Sequence, residues 1–158
     1  MLTTIGKAFR KVLYVGGWAP LTVLLVHWFM VSVLHAYRYW PTADIQMHFM
    51  GGMAMAYFFS RLYQALPRDA VRSSRIVLLE LILVGALTTT VAVLWEFGEF
   101  IPDRIFGTNI QISLANTMQD LAMGMLGASV ILALRAYQLR AGRAELREVV
   151  TDWVAGSA

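Results

Sequence analysis

A chain of 158 residues that is 58% hydrophobic and only 15% charged, with a mean hydropathy of +0.60, is too apolar for a soluble domain, where roughly 45–50% apolar is usual. Cysteine is absent, which excludes disulfides, thiolate metal sites, iron–sulfur clusters and cysteine nucleophiles. The net charge of +3 comes from arginines in loops and tails and points to an anionic membrane surface, not to nucleic acid.

Along the chain, Leu2, Ile5, Phe9 and Val12 recur at helical spacing with Lys7, Arg10 and Lys11 between them. That is the pattern of an amphipathic helix lying on a membrane surface. The same basic residues precede the first apolar run, and no A-x-A-type site follows its end at His35-Ala36-Tyr37. The first span is therefore expected to stay as a signal anchor. A spanning helix needs about 20 apolar residues, and four stretches qualify, near 18–37, 45–63, 76–101 and 114–134. After the fourth, Leu139, Leu146, Val149, Val150 and Trp153 form a second apolar stripe opposite Arg140, Arg143, Arg147 and Glu148. The expected architecture is an all-α membrane protein, a single domain over residues 1–158. It is a four-transmembrane-helix bundle with amphipathic surface helices at the N- and C-termini.

Basic residues in short loops set the orientation. With the N-terminus inside, the inner side holds Lys7, Arg10, Lys11, Arg61, Arg68, Arg72, Arg75, Arg135, Arg140, Arg143 and Arg147, which is 11 of 13. The outer side holds Arg38 and Arg104. Both termini are thus expected to be cytoplasmic. Glu80, near the inner end of the third span, is within reach of Arg72 or Arg75 by snorkelling. The outer loops are short. The second of them, from Pro102 to Ser113, alternates polar with apolar residues and is placed to fold back over the bundle, with Ser113 a candidate N-cap for the last helix.

This topology brings half of the acidic residues to one end. Asp44 and His48 are four apart and share a helix face that continues through Gly52 and Ala56. Glu96 and Glu99 lie near the outer end of the third span, and Asp103 follows one turn later. Asn116 and Asp120 share a face of the fourth span, with Gly124 and Gly127 after them and Gln119 one residue off it. Small residues on these faces let helices approach closely. Neighbouring carboxylates repel unless a proton, a cation or an arginine compensates, and Arg38 and Arg104 are too few for five acids. The candidate ion ligands are His48, Glu96, Glu99 and Asp120, with Asp44, Asp103, Asn116 and Gln119 orienting them. Carboxylates with one imidazole suit a divalent ion such as Ca²⁺, Mg²⁺ or Mn²⁺, or a single Fe or Zn. A structural polar network satisfied by water is the competing explanation. His27, at the middle of the first span, has the placement of a haem or chlorophyll ligand. A hydrogen bond to a neighbouring helix explains it better, and a pigment is disfavoured. His35 is either a further ligand or an interfacial side chain.

The stretch Asp44-Ile45-Gln46-Met47-His48-Phe49-Met50-Gly51 resembles the D-x-x-x-H-F-x-x-G opening of YjdF-like bacterial inner-membrane proteins. Trp95-Glu96-Phe97-Gly98-Glu99-Phe100 is similar to their Y-E-x-x-E-W element, and Asn116-Thr117-Met118-Gln119-Asp120 to their D-T-Q-x-D element, with Asn116 where an Asp is usual. A more distant resemblance is to VanZ-like proteins. The resemblance implies a four-helix core with these residues at its site. It does not supply a reaction, and no motif here demands catalysis. Three functions suit the pattern. The first is an outward-facing, cation-binding cavity that acts on or senses a lipid or cell-envelope molecule. The second is a structural or assembly subunit of a larger bioenergetic or photosynthetic complex. The third is a small proton-coupled transporter, with a homo-oligomer supplying what four spans lack. The expected partners are membrane lipids, with no nucleic acid.

Overall fold

A computed structural model describes residues 10–40, 42–65 and 74–156, without the side chains of 74–76 and 142–156. Among the described residues every regular element is a helix. A π-helical turn, Leu13–Gly17, leads into α1, Trp18–Ser32. A short α2, Ala36–Tyr39, precedes α3, Thr42–Ala65. The two longest helices follow, α4, Ser74–Phe106, and α5, Leu114–Gly156. Three helical stretches are long and apolar enough to cross a membrane, Arg10–Ser32, Val77–Phe106 and Leu114–Ala141. Their outward surfaces carry Leu25, Trp28, Leu78, Ile82 and Leu94, each more than half exposed. Such a surface is the kind that faces lipid or another protein.

The 24-residue α3 is about as long as the first of these but less apolar, and its place in the bundle explains why. It packs against α1, α4 and α5 together, so little of it needs to face hydrocarbon. Its buried residues are small or polar: Ala43, Gly52, Ala54, Ala56 and Ser60, with Met47. In lipid, helices associate through close packing and not through hydrophobic expulsion, and α3 meets α5 in that way. A Cβ on Gly52 would lie 1.9 Å from the carbonyl oxygen of Gly124, and one on Gly127 would lie 2.1 Å from that of Phe49. Ala56, Val84 and Ala128 close the middle of the bundle between α3, α4 and α5.

Several boundaries differ from the sequence expectation, each for a local reason. The first span ends at Ser32, not near 37, because His35 adopts a left-handed conformation (φ 47°). That conformation costs a non-glycine residue about 1–3 kcal/mol. It redirects the chain so that α2 folds back beside α1. Near the start of the chain Gly16 takes φ 145°, and its hydrogen faces the Arg61 and Tyr57 side chains, 3.3 Å from where a Cβ would stand. Pro102 does not end α4. The helix runs one more turn to Phe106, and Gly107 (φ 67°) terminates it, as glycine does at many helix ends. Ser113 caps α5 as expected, its Oγ accepting the Asn116 N–H at 3.2 Å.

Glu80 is paired with Arg135, while Arg72 and the Arg75 side chain, expected within its reach, lie outside the description. Arg135 of α5 donates Nε–H to Glu80 Oε1 at 2.8 Å, and both side chains are largely buried. At ~1.5 Å per residue, Glu80 lies about 24 Å along α4 from Glu96. The buried ion pair and the acidic cluster thus occupy opposite ends of the bundle. The N-terminal surface helix falls mainly on residues outside those described. At the other terminus the backbone of α5 continues without interruption to Gly156, so a separate surface helix does not emerge. Of the eleven basic residues assigned to the inner side, Lys7, Arg68 and Arg72 and the side chains of Arg75, Arg143 and Arg147 lie outside the description.

Candidate functional site

Asp44 sits in the first turn of α3, and one turn later His48 reaches the bundle interior between the C-terminal end of α4 and the N-terminal end of α5. The imidazole is bracketed by carboxylates. Its Nε2 lies 3.6 Å from Asp44 Oδ1, and its Nδ1 lies 3.7 Å from Glu96 Oε1. Both distances are too long for hydrogen bonds.

Glu96 is 6% exposed and Asp120 only 1%. Each has one well-held oxygen and one that is not. Gln111 Nε2 donates to Glu96 Oε2 at 3.0 Å and to the Glu96 backbone carbonyl at 3.0 Å. Asn116 Nδ2 donates to Asp120 Oδ2 at 2.7 Å. Glu96 Oε1 and Asp120 Oδ1 are buried without a hydrogen-bond partner, an arrangement proteins rarely tolerate unless something else binds there. Glu99 accepts the Trp95 indole N–H at 2.7 Å.

Two overlapping groups of ligand-bearing side chains result. Asp44, His48 and Asp120 place ligand atoms within 4.8 Å of one another, and so do His48, Glu96 and Glu99. Oxygen ligands sit about 2.0–2.6 Å from Mg²⁺ or Ca²⁺, so two ligands of one ion are at most ~4–5.2 Å apart. The spacing fits one ion in either group. Whichever nitrogen of His48 stays free can then donate to the carboxylate on its other side, as metal-bound imidazoles usually do. Among the described residues no arginine or lysine pairs with these acids. Arg104 instead lies over the Phe100 ring, 5.1 Å from its centroid.

Two of the residues expected to orient the ligands stand apart. Asp103 is half-buried and organises the α4–α5 loop. It accepts hydrogen bonds from Thr108 Oγ1 at 2.5 Å and from the Ile110 and Gln111 amides at 2.8 Å each. Gln119 is exposed on α5. Asn116 does orient Asp120, and Asp44 adjoins both His48 and Asp120. Sequence reasoning passed over Gln111. The only signal for it was a polar residue in a loop expected to fold back. His35 is exposed and outside the cluster.

His27 has a protein partner. Tyr37, carried back by the left-handed break at His35, places its hydroxyl 2.8 Å from His27 Nδ1. The same imidazole meets the Trp95 ring edge-on, with centroids 5.2 Å apart. His27 is therefore tied through Trp95 to Glu99.

Two cavities flank the cluster. One, of about 230 Å³, lies between α1, α3 and α4 and is lined mostly by apolar groups, with His27, His48 and Trp95 at its polar side. The other, of about 630 Å³, lies under the α4–α5 loop and is lined by Glu96, Arg104, Asn109, Gln111 and Thr117 among others. His48 borders the first and Glu96 the second, and their facing atoms are 3.7 Å apart.

An all-helical bundle with apolar outward surfaces and a buried acidic cluster at one end defines a class, that of polytopic membrane proteins. Within it, this chain belongs to the predicted membrane protein family DUF2238, whose model matches residues 8–141. This fits the YjdF-like resemblance of the three motifs. No curated protein and no solved structure matches the chain.

Proposed function

We propose that this protein holds a divalent cation at the outer end of a four-span bundle in a bacterial inner membrane, and uses it to act on or sense a lipid or cell-envelope molecule. His48 with Glu96 and Glu99, or with Asp120 and Asp44, supplies the ligands, and Asn116 and Gln111 orient them. The observation that carries this reading is the pair of buried, unpartnered oxygens, Glu96 Oε1 and Asp120 Oδ1. Each belongs to a residue of a three-member ligand group containing His48. An anionic cluster without basic compensation, one imidazole and an adjoining cavity open on the loop side supply the rest. The fourth span is α3, whose low hydropathy follows from its central position. Orientation with both termini inside follows from the distribution of basic residues. The likeness to VanZ-like proteins belongs to the same reading.

If the bound ion supports catalysis, a metal-bound water with a glutamate as base is the most economical chemistry. The bundle is closed at mid-depth by Ala56, Val84 and Ala128, which favours a site at one end over a path through the membrane. Elemental analysis of the purified protein tests the proposal. Roughly stoichiometric metal is expected, reduced in Glu99→Gln and in His48→Ala. Protein without metal, together with an unchanged response to added metal in Glu99→Gln, would leave the cluster a structural network.

A further inference from the structure

Two glycines stand side by side in the middle of α3, a poor choice for a helix interior. Gly52 has a packing reason, since its Cβ would strike the Gly124 backbone. Gly51 has none of that kind. No heavy atom lies within 4 Å of its Cβ position, and its φ is negative. What Gly51 borders is the cavity of about 230 Å³, with Val23 and His27 of α1, His48 of α3, and Val91 and Trp95 of α4 around it. A side chain at 51 would grow into that space.

The cavity opens sideways. Helix α1 packs along α3 but not against α4, and the gap between α1 and α4 is bridged by the edge-on contact of His27 with Trp95. Rim residues Leu24 and Trp95 are 47% and 37% exposed, on the same flank as the lipid-facing side chains of α1 and α4. At about 230 Å³ the cavity is smaller than the ~300–1,000 Å³ pockets that engulf a whole drug-sized ligand. That suits a length of hydrocarbon chain and not a macrocycle. Its polar end is His48, which also belongs to both ligand groups of the acidic cluster.

We infer that this cavity seats a hydrocarbon chain of an anionic amphiphile, which enters from the bilayer between α1 and α4 and sets its headgroup at the His48 cluster. The chain seat rests on the cavity and on Gly51. The anionic headgroup rests on the cation site proposed above, because only a bound cation makes that end attractive to a negative charge.

Full-length protein in phosphatidylcholine vesicles, with Trp18, Trp28, Trp40 and Trp153 replaced by Phe, leaves Trp95 as the reporter. Phosphatidylglycerol brominated in its acyl chains is then added as a minor component with Ca²⁺ present. Quenching that saturates at low lipid fraction is expected. It should become merely proportional to lipid abundance in Gly51→Leu, and be largely kept in Gly51→Ala. Val91→Phe fills the same space from α4 and should act like Gly51→Leu, so a folding defect in one variant does not decide the matter. Quenching proportional to abundance in the unfilled protein, or saturation that survives both filled variants, overturns the inference.

Equilibrium dialysis with Mn²⁺ reads the cation site separately. Binding by both unfilled and Gly51→Leu protein is expected. Absence of Mn²⁺ binding, with brominated phosphatidylcholine saturating as well as phosphatidylglycerol, would sink the cation site and the headgroup preference while leaving the chain seat standing. Unbrominated phosphatidylglycerol and a polyprenyl phosphate, added as competitors, identify the source of the chain by which one restores fluorescence. Restoration by neither overturns the inference.

Discussion

At the scale of single residues, the site is governed by atoms that lack partners. Glu96 offers one oxygen to Gln111 and leaves the other bare beside His48. A cation that binds only the folded state adds stability by mass action, about 2.7 kcal/mol at a concentration one hundred times its Kd. Thermal unfolding in detergent should therefore fall on adding a chelator. Glu96→Gln should unfold at a lower temperature than the parent and should no longer respond to chelator, with Glu99→Gln affected less, since Glu99 is less buried. If Glu96→Gln unfolds later than the parent, the carboxylates merely repel one another and no ion is held. His27 makes the complementary case, a polar group at mid-depth that is satisfied. Tyr37→Phe removes the partner of Nδ1 and should cost about 1–3 kcal/mol, read as a lower unfolding midpoint. The double change His27→Phe with Tyr37→Phe, which removes both polar partners, should cost less than Tyr37→Phe alone.

At the scale of elements, small residues and one ion pair decide the packing. Gly127→Ala drives a methyl against the Phe49 backbone, and Gly52→Ala drives one against Gly124. Overpacking of this kind costs about 1–3 kcal/mol or more. Both should lower the unfolding temperature, whereas Gly98→Ala, with open space around it, should raise it slightly through helix propensity. Breaking the Glu80–Arg135 pair by Arg135→Met strands a buried carboxylate and should cost about 3–5 kcal/mol. The double change Glu80→Leu with Arg135→Met should recover most of that loss. These crossings were partly legible in the sequence, because Gly52, Ala56, Gly124 and Gly127 repeat at helical spacing and mark close faces. The cluster of Asp44, His48, Glu96, Glu99 and Asp120 was legible for a similar reason. Antiparallel helices joined by short loops leave little freedom in which ends meet. What could not be read was set by single backbone conformations or by long side chains. Nothing in a histidine announces the left-handed break at His35, and so the return of Tyr37 to His27 stayed hidden. Nothing in the local sequence singles out Arg135, and only the packing of α4 on α5 brings it to Glu80. Asp103 sits at helical spacing from Glu99, yet its carboxylate is taken up by Thr108 and the Ile110 and Gln111 amides of the loop and not by the cluster.

At the scale of the whole molecule, helices of alternating direction sort the charge. Arg61, Glu80 and Arg135 lie toward one end, and Arg104 with the carboxylates of the site toward the other. With both termini inside, reporter fusions at Arg68 and Ala158 should read cytoplasmic and one at Arg104 periplasmic. A periplasmic reading at Ala158 would invert the site and place it against the cytoplasm. The length of α5 adds something that charge does not. Its 43 residues would extend about 64 Å at ~1.5 Å per residue, twice the ~30 Å of bilayer hydrocarbon. Asp120 lies near one tip of this rod, and the tight crossing at Gly124 and Gly127 lies a turn or two beyond it. Anything that shifts Asp120 about that crossing swings a short arm of a few residues against a long arm of nearly thirty. The helix is a lever whose fulcrum is a pair of glycines. A movement of ~1 Å at Asp120 would become several ångströms at Gly156, far along the helix from where it began.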